Sequence, residues 1–103
     1  NIHNMLDLKV INGFDWDQGN SRKNEKHGVS MAEAEQVFFN IPLFLLEDKQ
    51  HSLDENRFHA LGRTDEHRLL HITFTILYAG EKIRVISARS MHKKEREIYE
   101  KQT

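Results

Sequence analysis

The sequence has no cysteine, a single proline and no apolar run long enough to cross a membrane. Without cysteine, neither a disulfide bond nor a thiolate-bound metal can stabilise the fold, and this composition fits a reducing compartment. No charged and then apolar signal segment opens the chain. These absences predict a cytoplasmic protein that has no contact with a membrane.

Glycine is also sparse, and its five occurrences are isolated from one another. The chain therefore has no glycine-rich phosphate loop and no G-x-S-x-G sequence, so nucleotide hydrolysis and serine chemistry have no support. Seven histidines invite a metal site, with Asp48 and His51, or His59 and His71, as candidate ligands. None of these spacings matches a metal-binding motif, so we expect no metal and no other cofactor.

Basic residues are outnumbered by acidic ones in the first 81 positions and concentrated in the rest. Residues 82–103 carry seven lysines and arginines against three glutamates, a net charge of +4, although the whole chain has a net charge of -1. A near-neutral chain is poorly suited to coating nucleic acid, but a small site needs only a few cations. The basic segment fits either an anion-binding surface or a solvated helix face.

The bulk composition bounds the organisation of the chain. With 38% hydrophobic and 30% charged residues over 103 positions, the sequence predicts one globular domain over residues 1–103, without internal repeats. Residues 1–4 precede Met5, a natural start, and fit a cloning remnant. Those four residues therefore support no prediction of fold or site.

A strand and two helices are predicted before the proline. GFDWD at residues 13–17 alternates aromatic and acidic side chains, which predicts a strand whose aromatic side chains face inward. NSRKNEKHG at residues 20–28 predicts a short helix that ends at glycine. Ser30 and Glu33 have the spacing of a capping box, which predicts a second helix over residues 31–39.

After the proline the pattern changes to strands. Four segments rich in strand-forming residues follow one another: LFLLE, NRFHALGRT, RLLHITFTILY and KIRVISAR. Short loops between them suit antiparallel neighbours, and Ser90 is expected to cap a last helix that begins at Met91. The predicted fold is α+β: a curved antiparallel sheet with two N-terminal helices and one C-terminal helix.

Alternation along these strands predicts a cationic sheet face. In NRFHALGRT, Arg57, His59 and Arg63 point to one side. Arg84 and Arg89 are separated by an odd number of residues, so they point to opposite sides unless the strand ends or bulges between them. Guanidinium groups hold two phosphate oxygens at once, so such a group suits a phosphoryl centre. The alternative is that each arginine pairs with an acidic side chain or lies at a sheet edge.

Five short segments occur in an order and spacing typical of one protein family. They are FDWD from residue 14, KHGVS from residue 26, AEQVF from residue 34, LGR from residue 61 and RVISARSMHKKERE from residue 84. Together they resemble the BrnT family, the toxin half of a bacterial type II toxin–antitoxin pair. Gln18, Gly19 and Asn20 depart from the acidic residue and alanines usual after FDWD, which affects the start of the first predicted helix.

The resemblance implies a fold similar to the RelE ribonuclease toxins and growth arrest through RNA cleavage. Ribonucleases of this kind need no metal, because the 2′-hydroxyl of RNA attacks the adjacent phosphate and leaves a cyclic phosphate. The resemblance also implies neutralisation by a small antitoxin, BrnA, whose own domain binds the operator. The toxin would then meet operator DNA only through its partner.

The resemblance and the charge pattern together assign roles to eight basic residues. Those assigned to transition-state stabilisation are Arg63, Arg84 and Arg89. Those assigned to proton transfer are Lys26 and His27, although a histidine beside a helix end is also explained by the helix dipole. Those assigned to RNA backbone phosphates are Lys93, Lys94 and Arg96, which a solvated helix face would explain equally well.

Two other functional classes are open to this sequence. A non-catalytic module that acts only through a protein partner would use the arginine face to bind an acidic surface, and it predicts no loss of RNA on mixing. A small metal-dependent hydrolase predicts tightly bound metal. Incubation of the purified protein with total RNA in a chelator, alone and with its partner, tests for the ribonuclease, and elemental analysis tests for the metal of the hydrolase.

Overall fold

The computed structural model describes residues 11–16, 27–50, 56–77 and 81–102. Across those ranges the chain has an α+β fold of five strands and two helices. The strands are β1 (Gly13–Phe14), β2 (Phe44–Asp48), β3 (Arg57–Arg63), β4 (Leu69–Leu77) and β5 (Lys82–Ser90), and the helices are α1 (Met31–Val37) and α2 (Lys93–Lys101). The predicted α+β class and the four strands after the proline are confirmed.

The five strands form one mixed sheet in the order β1-β5-β4-β3-β2. Strands β2 to β5 pair antiparallel with their neighbours, but β1 lies parallel to β5, with Phe14 opposite Ile83. The prediction of a wholly antiparallel sheet is therefore wrong. The parallel pair joins the two ends of the described chain, and no local sequence pattern encodes such a distant contact.

Burial along β3 alternates at every residue, as the sequence predicts. Phe58 and Ala60 are buried, whereas Arg57, His59 and Arg63 are half-buried. We call the side of the sheet that carries Phe58 and Ala60 the core face. The opposite side, which carries Arg57, His59 and Arg63, is called the arginine face.

Helix α1 covers the core face. Its predicted capping box is present: the Glu33 N–H donates to Ser30 Oγ at 3.1 Å, and the Ser30 N–H donates to Glu33 Oε1 at 3.0 Å. Val37 is fully buried, and the ring of Phe38 packs edge-on against Phe74 of β4 with 5.0 Å between centroids. The second predicted helix is thus confirmed, with its end at Val37.

The aromatic residues around β1 face inward, as predicted. The ring of Phe14 lies 5.6 Å from that of Phe38. Trp16 packs against the core, and its Nε1 donates to Glu35 Oε2 of α1 at 2.7 Å. These contacts join the short parallel strand to α1 as well as to β5.

Helix α2 begins later than the sequence suggests. Ser90 is the last residue of β5, and the N-cap position belongs to His92, so the predicted Ser90 cap is wrong. The helix is fixed by Tyr99, which is buried: its hydroxyl donates to the Pro42 carbonyl at 2.7 Å, and its ring lies 5.4 Å from that of Phe44. Helix α2 therefore packs on the end of the arginine face nearest β2.

The predicted helix over residues 20–28 lies outside the described residues, apart from His27 and Gly28. Gly28 has a φ of +71°, the left-handed conformation that glycine adopts without strain. Neither of the two described helices is long and apolar enough to cross a membrane.

Candidate active site

A bulge in β5 assembles the arginine face. Between Val85 and Ser87 the register of β5 against β4 shifts by one residue, so that Ile86 has no counterpart. The extra residue reverses the alternation of side chains, and Arg84 and Arg89 come to lie on the same side of the sheet. The sequence alone did not determine whether these two side chains point to the same side. The bulge places them on the same side.

Cross-strand pairing aligns the side chains of this face in three rows, each running from β3 across β4 to β5, and all of them except Leu61 are polar. The rows are Leu61, His71 and Arg89; His59, Thr73 and Ser87; and Arg57, Thr75 and Arg84. Because neighbouring strands are about 5 Å apart, each row spans about 10 Å. Three arginines, two histidines and three hydroxyls therefore share one continuous polar strip.

Arg63 lies on the same face, at the opposite end from Arg84. It is six residues from Arg57, which stands in the row of Arg84, so about 20 Å of strand separates Arg63 from that row. Arg63 is close to Tyr99, where its charge partly opposes the rise in tyrosine pKa that burial causes. The structure brings the three predicted catalytic arginines to one face, but it spreads them along the strip.

Arg89 is held by Glu95 of α2 in a two-armed ion pair. Its Nη1 donates to Oε1 at 2.8 Å and its Nη2 to Oε2 at 3.0 Å. These bonds, together with one from the backbone N–H of His92, lower the pKa of Glu95 to about 2. Arg89 thus anchors the start of α2 to β5, and a phosphate that binds this guanidinium has to compete with Glu95.

Arg84 is held more loosely than Arg89. Its Nη2 lies 3.4 Å from Oδ1 of Asp15, a single long contact, and both side chains are partly exposed. Its Nε is buried and has no hydrogen-bond partner within the described ranges. Within the described part of the chain, the Arg84 fork is therefore the less occupied of the two predicted β5 cations.

Two stacked histidines occupy the middle of the strip. Both ring nitrogens of His59 are engaged, with Nε2 2.9 Å from Asp48 Oδ2 and Nδ1 3.1 Å from Thr73 Oγ1. The ring of His71 stacks on it with 4.9 Å between centroids. Burial, and after it the charge of Arg89, lowers the pKa of His71 to about 4. His71 is therefore neutral near pH 7, and in the free protein it is a weaker base than an ordinary histidine.

Of the two predicted proton-transfer residues, the structure describes only His27. Lys26 is outside the described residues, and His27 is exposed in the turn before α1, the helix of the core face. The following carbonyl, that of Gly28, accepts a 2.6 Å hydrogen bond from Arg68, which also pairs with Glu33 at 3.1 Å. Arg68 thus has a structural role: it ties the start of α1 to the β3–β4 end of the sheet.

The residues predicted to bind RNA phosphates lie on the first two turns of α2. Lys93 and Lys94 are exposed, and Arg96 is exposed with its Nη1 donating to the Met91 carbonyl at 2.8 Å. Lys93 and Lys94 directly precede Glu95, the partner of Arg89, in the chain. Both readings of these residues, phosphate contacts and a solvated face, are compatible with this placement.

The sequence patterns did not reveal the carboxylates that pair with the basic side chains of the arginine face. They also did not assign His71 to the site. Glu95 stands three residues after His92, which is the spacing of a helix start. The sequence prediction placed the helix start at Ser90 instead, because serine is a more common N-cap residue than histidine. Asp15 and Asp48 reach their partners across the sheet, and no local spacing reveals such contacts.

Within the described ranges, no three side chains of histidine, aspartate or glutamate are grouped closely enough to bind a metal ion.

Comparison with known proteins identifies the family. Residues 16–95 match the family described as the ribonuclease toxin BrnT of type II toxin–antitoxin systems. The fold is similar to the crystal structure of the Brucella abortus ribonuclease toxin BrnT, with a TM-score of 0.59 and 23% identity over 79% of this chain and 97% of that chain. No curated protein matches in sequence. Because the family match spans most of its length, the chain belongs to the BrnT family of ribonuclease toxins of type II toxin–antitoxin systems.

Proposed function

We propose that this toxin is an endoribonuclease that cuts RNA on the arginine face, without a metal ion, by attack of the 2′-hydroxyl on the adjacent phosphate. Family membership supports ribonuclease activity. The observation that carries the site is the bulge at Ile86, which places Arg84 and Arg89 on one face beside two histidines. The face thus collects cations and a neutral base in one strip, as this reaction requires.

The arginines stabilise the negative charge that builds up on the phosphate. Arg89 stands directly opposite His71, so the scissile phosphate is assigned to this row of the strip. Arg84 and Arg63 lie on either side of it along the strands and hold the neighbouring phosphates. Guanidinium groups on a rigid sheet keep the dinucleotide in line for attack, which is itself a large contribution to the rate.

The reaction also needs a group that accepts the proton of the 2′-hydroxyl. His71 fits this role because it is neutral near pH 7 and lies beside Arg89. A bound phosphate would offset the charge of Arg89 and raise the pKa of His71, which strengthens it as a base while substrate is present. Lys26 is the second candidate for proton transfer, because it belongs to the KHGVS segment that resembles the family. His27 precedes the helix of the core face, so we do not assign it to this strip.

The proposed partner is an antitoxin of the BrnA type. A type II system pairs the toxin with a protein that binds and neutralises it, and the cationic strip suits an acidic partner segment. Contact with operator DNA would run through the antitoxin alone. The relation to the RelE ribonuclease toxins belongs to the same proposal, since it rests on the family resemblance.

The experiment incubates the purified toxin with total RNA in excess chelator and analyses the new RNA ends. We expect cleavage to persist and the products to carry 2′,3′-cyclic phosphates. Cleavage that stops on chelation and returns with added metal would replace this mechanism with metal-assisted hydrolysis. Intact RNA under all conditions would favour a non-catalytic module that acts only with its partner.

A further inference from the structure

An apolar groove lies between the edge strand β2 and helix α2. It has a volume of about 510 Å³. Its apolar walls are Phe44 and Leu46 of β2, Leu61 of β3 and Ile98 of α2, and His71 also lines it. The groove therefore opens directly onto the proposed catalytic strip.

Two large apolar side chains of this groove are exposed to solvent. Leu46 is 67% exposed and Ile98 is 51% exposed. Strand β2 is also the last strand of the sheet, with no further strand beside it in the described part of the chain. An exposed apolar groove beside an unpaired strand edge is typical of a surface that binds another polypeptide.

The charge around the groove indicates what kind of polypeptide it binds. The lining residues include no lysine or arginine, so the floor does not suit the phosphates of an RNA strand. The carboxylate of Glu95 also lines the groove, but its charge is balanced by the ion pair with Arg89. Lys94 and Lys101 stand one helical turn on either side of Ile98, and both are exposed. An apolar floor with a basic rim is complementary to an acidic segment that also carries apolar side chains.

We propose that this groove binds an acidic, amphipathic segment of the antitoxin, whose apolar side chains pack between Leu46 and Ile98. The inference rests on the proposed function, because it takes the antitoxin as the partner. A segment in the groove covers His71, so it blocks proton transfer without unfolding the toxin. The affinity for the antitoxin then comes from apolar residues that take no part in the cleavage of RNA.

The test compares glutamate variants at exposed apolar positions inside and outside the groove. Leu46→Glu and Ile98→Glu introduce repulsion toward an acidic segment, and Ile41→Glu is the matched control, because Ile41 is 78% exposed and does not line the groove. The separately purified cognate antitoxin is titrated into each variant by calorimetry. We expect both groove variants to bind about 10-fold or more weakly and the control to bind like the parent.

Three further measurements make the result decisive. Melting midpoints verify that the variants are folded, and RNA cleavage should continue in both groove variants while resisting inhibition by antitoxin. Lys101→Glu should weaken binding at low salt and lose most of its effect at high salt, because the rim charge is exposed. Parent-like affinity in folded Leu46→Glu and Ile98→Glu overturns the proposal.

The outcomes also separate this proposal from its alternatives. Loss of RNA cleavage with unchanged antitoxin affinity in the groove variants would show that the groove binds RNA, and would overturn the proposal. If the parent protein cleaves no RNA, the proposed function fails, while the calorimetric comparison still decides whether the groove binds the antitoxin.

Discussion

At the scale of single residues, the cations of the arginine face differ in what holds them. Arg89 is fixed by both oxygens of Glu95, whereas Arg84 has one 3.4 Å contact with Asp15. A bidentate pair in a half-buried setting is stronger and more directional than a single long contact. We therefore expect Arg84 to reorganise readily around a phosphate and Arg89 to couple RNA binding to the position of α2.

The depressed pKa of His71 leads to a prediction about stability in acid. The folded protein binds a proton at His71 only near pH 4, whereas the unfolded chain binds it near pH 6.5. The unfolded state therefore gains protons first, and the His71 contribution to stability is lost as the pH falls from 6.5 to 4. The melting midpoint should fall over this range in the parent and fall less in His71→Gln.

The control for this prediction is the interval above pH 6.5, where His71 is neutral in both states and the two proteins should have parallel profiles. Identical pH dependence in parent and His71→Gln from pH 6.5 to 4 would mean that His71 is not protected from protonation in the folded state. Glu95 also loses stabilising effect in the lower part of this range, because its pKa is about 2 in the folded protein and 4.5 in the unfolded chain. Both proteins retain Glu95, so the comparison between them isolates the effect of His71.

At the scale of elements, sequence patterns predicted what local propensity controls. Strand-forming composition located β2 to β5, and the spacing of Ser30 and Glu33 located α1. The misses have a common physical origin in contacts distant along the chain. The parallel pairing of β1 and the displacement of the last helix start to Lys93 are set by packing across the sheet, not by neighbours in sequence. The bulge at Ile86, which the sequence left open, is decided by pairing with β4.

The contact between α1 and β3 gives a prediction at this scale. A methyl group added at Gly62 would meet Val37 Cγ1 at 2.7 Å and Leu43 Cδ1 at 3.3 Å. Gly62→Ala should therefore overpack the core and cost about 1–3 kcal/mol in the free energy of unfolding. Denaturant titration of the purified variant measures this cost directly.

Gly13→Ala serves as the matched control, because the nearest atom to its added methyl group is Lys82 Nζ at 4.0 Å. It should change the free energy of unfolding by no more than about 0.5 kcal/mol, the range of an uncrowded substitution. Equal stability of Gly62→Ala and Gly13→Ala would show that α1 sits farther from β3 than this structure has it.

At the scale of the whole molecule, one face of the sheet packs into the core and the other carries the proposed site. The core face is buried beneath α1, and the arginine face carries the charged and titratable side chains together with the groove beside α2. The cationic face was predictable from the alternation of Arg57, His59 and Arg63. Its composition was not, because Glu95 and His71 join it through pairing and helix packing.

The proposed function requires that the arginine face cuts RNA and that arginine geometry, beyond positive charge, determines the rate. The most direct measurement compares RNA cleavage rates of Arg63→Lys, Arg84→Lys and Arg89→Lys with Lys93→Ala, an exposed cation of α2. Lysine retains the charge and loses the paired N–H groups, so the strongest effects should reach about 10²–10³ in rate, while Lys93→Ala should change the rate much less. Thermal melting identifies the variants that are folded. Cleavage at the parent rate by folded lysine variants at all three positions would contradict the account and place the active site elsewhere on the molecule.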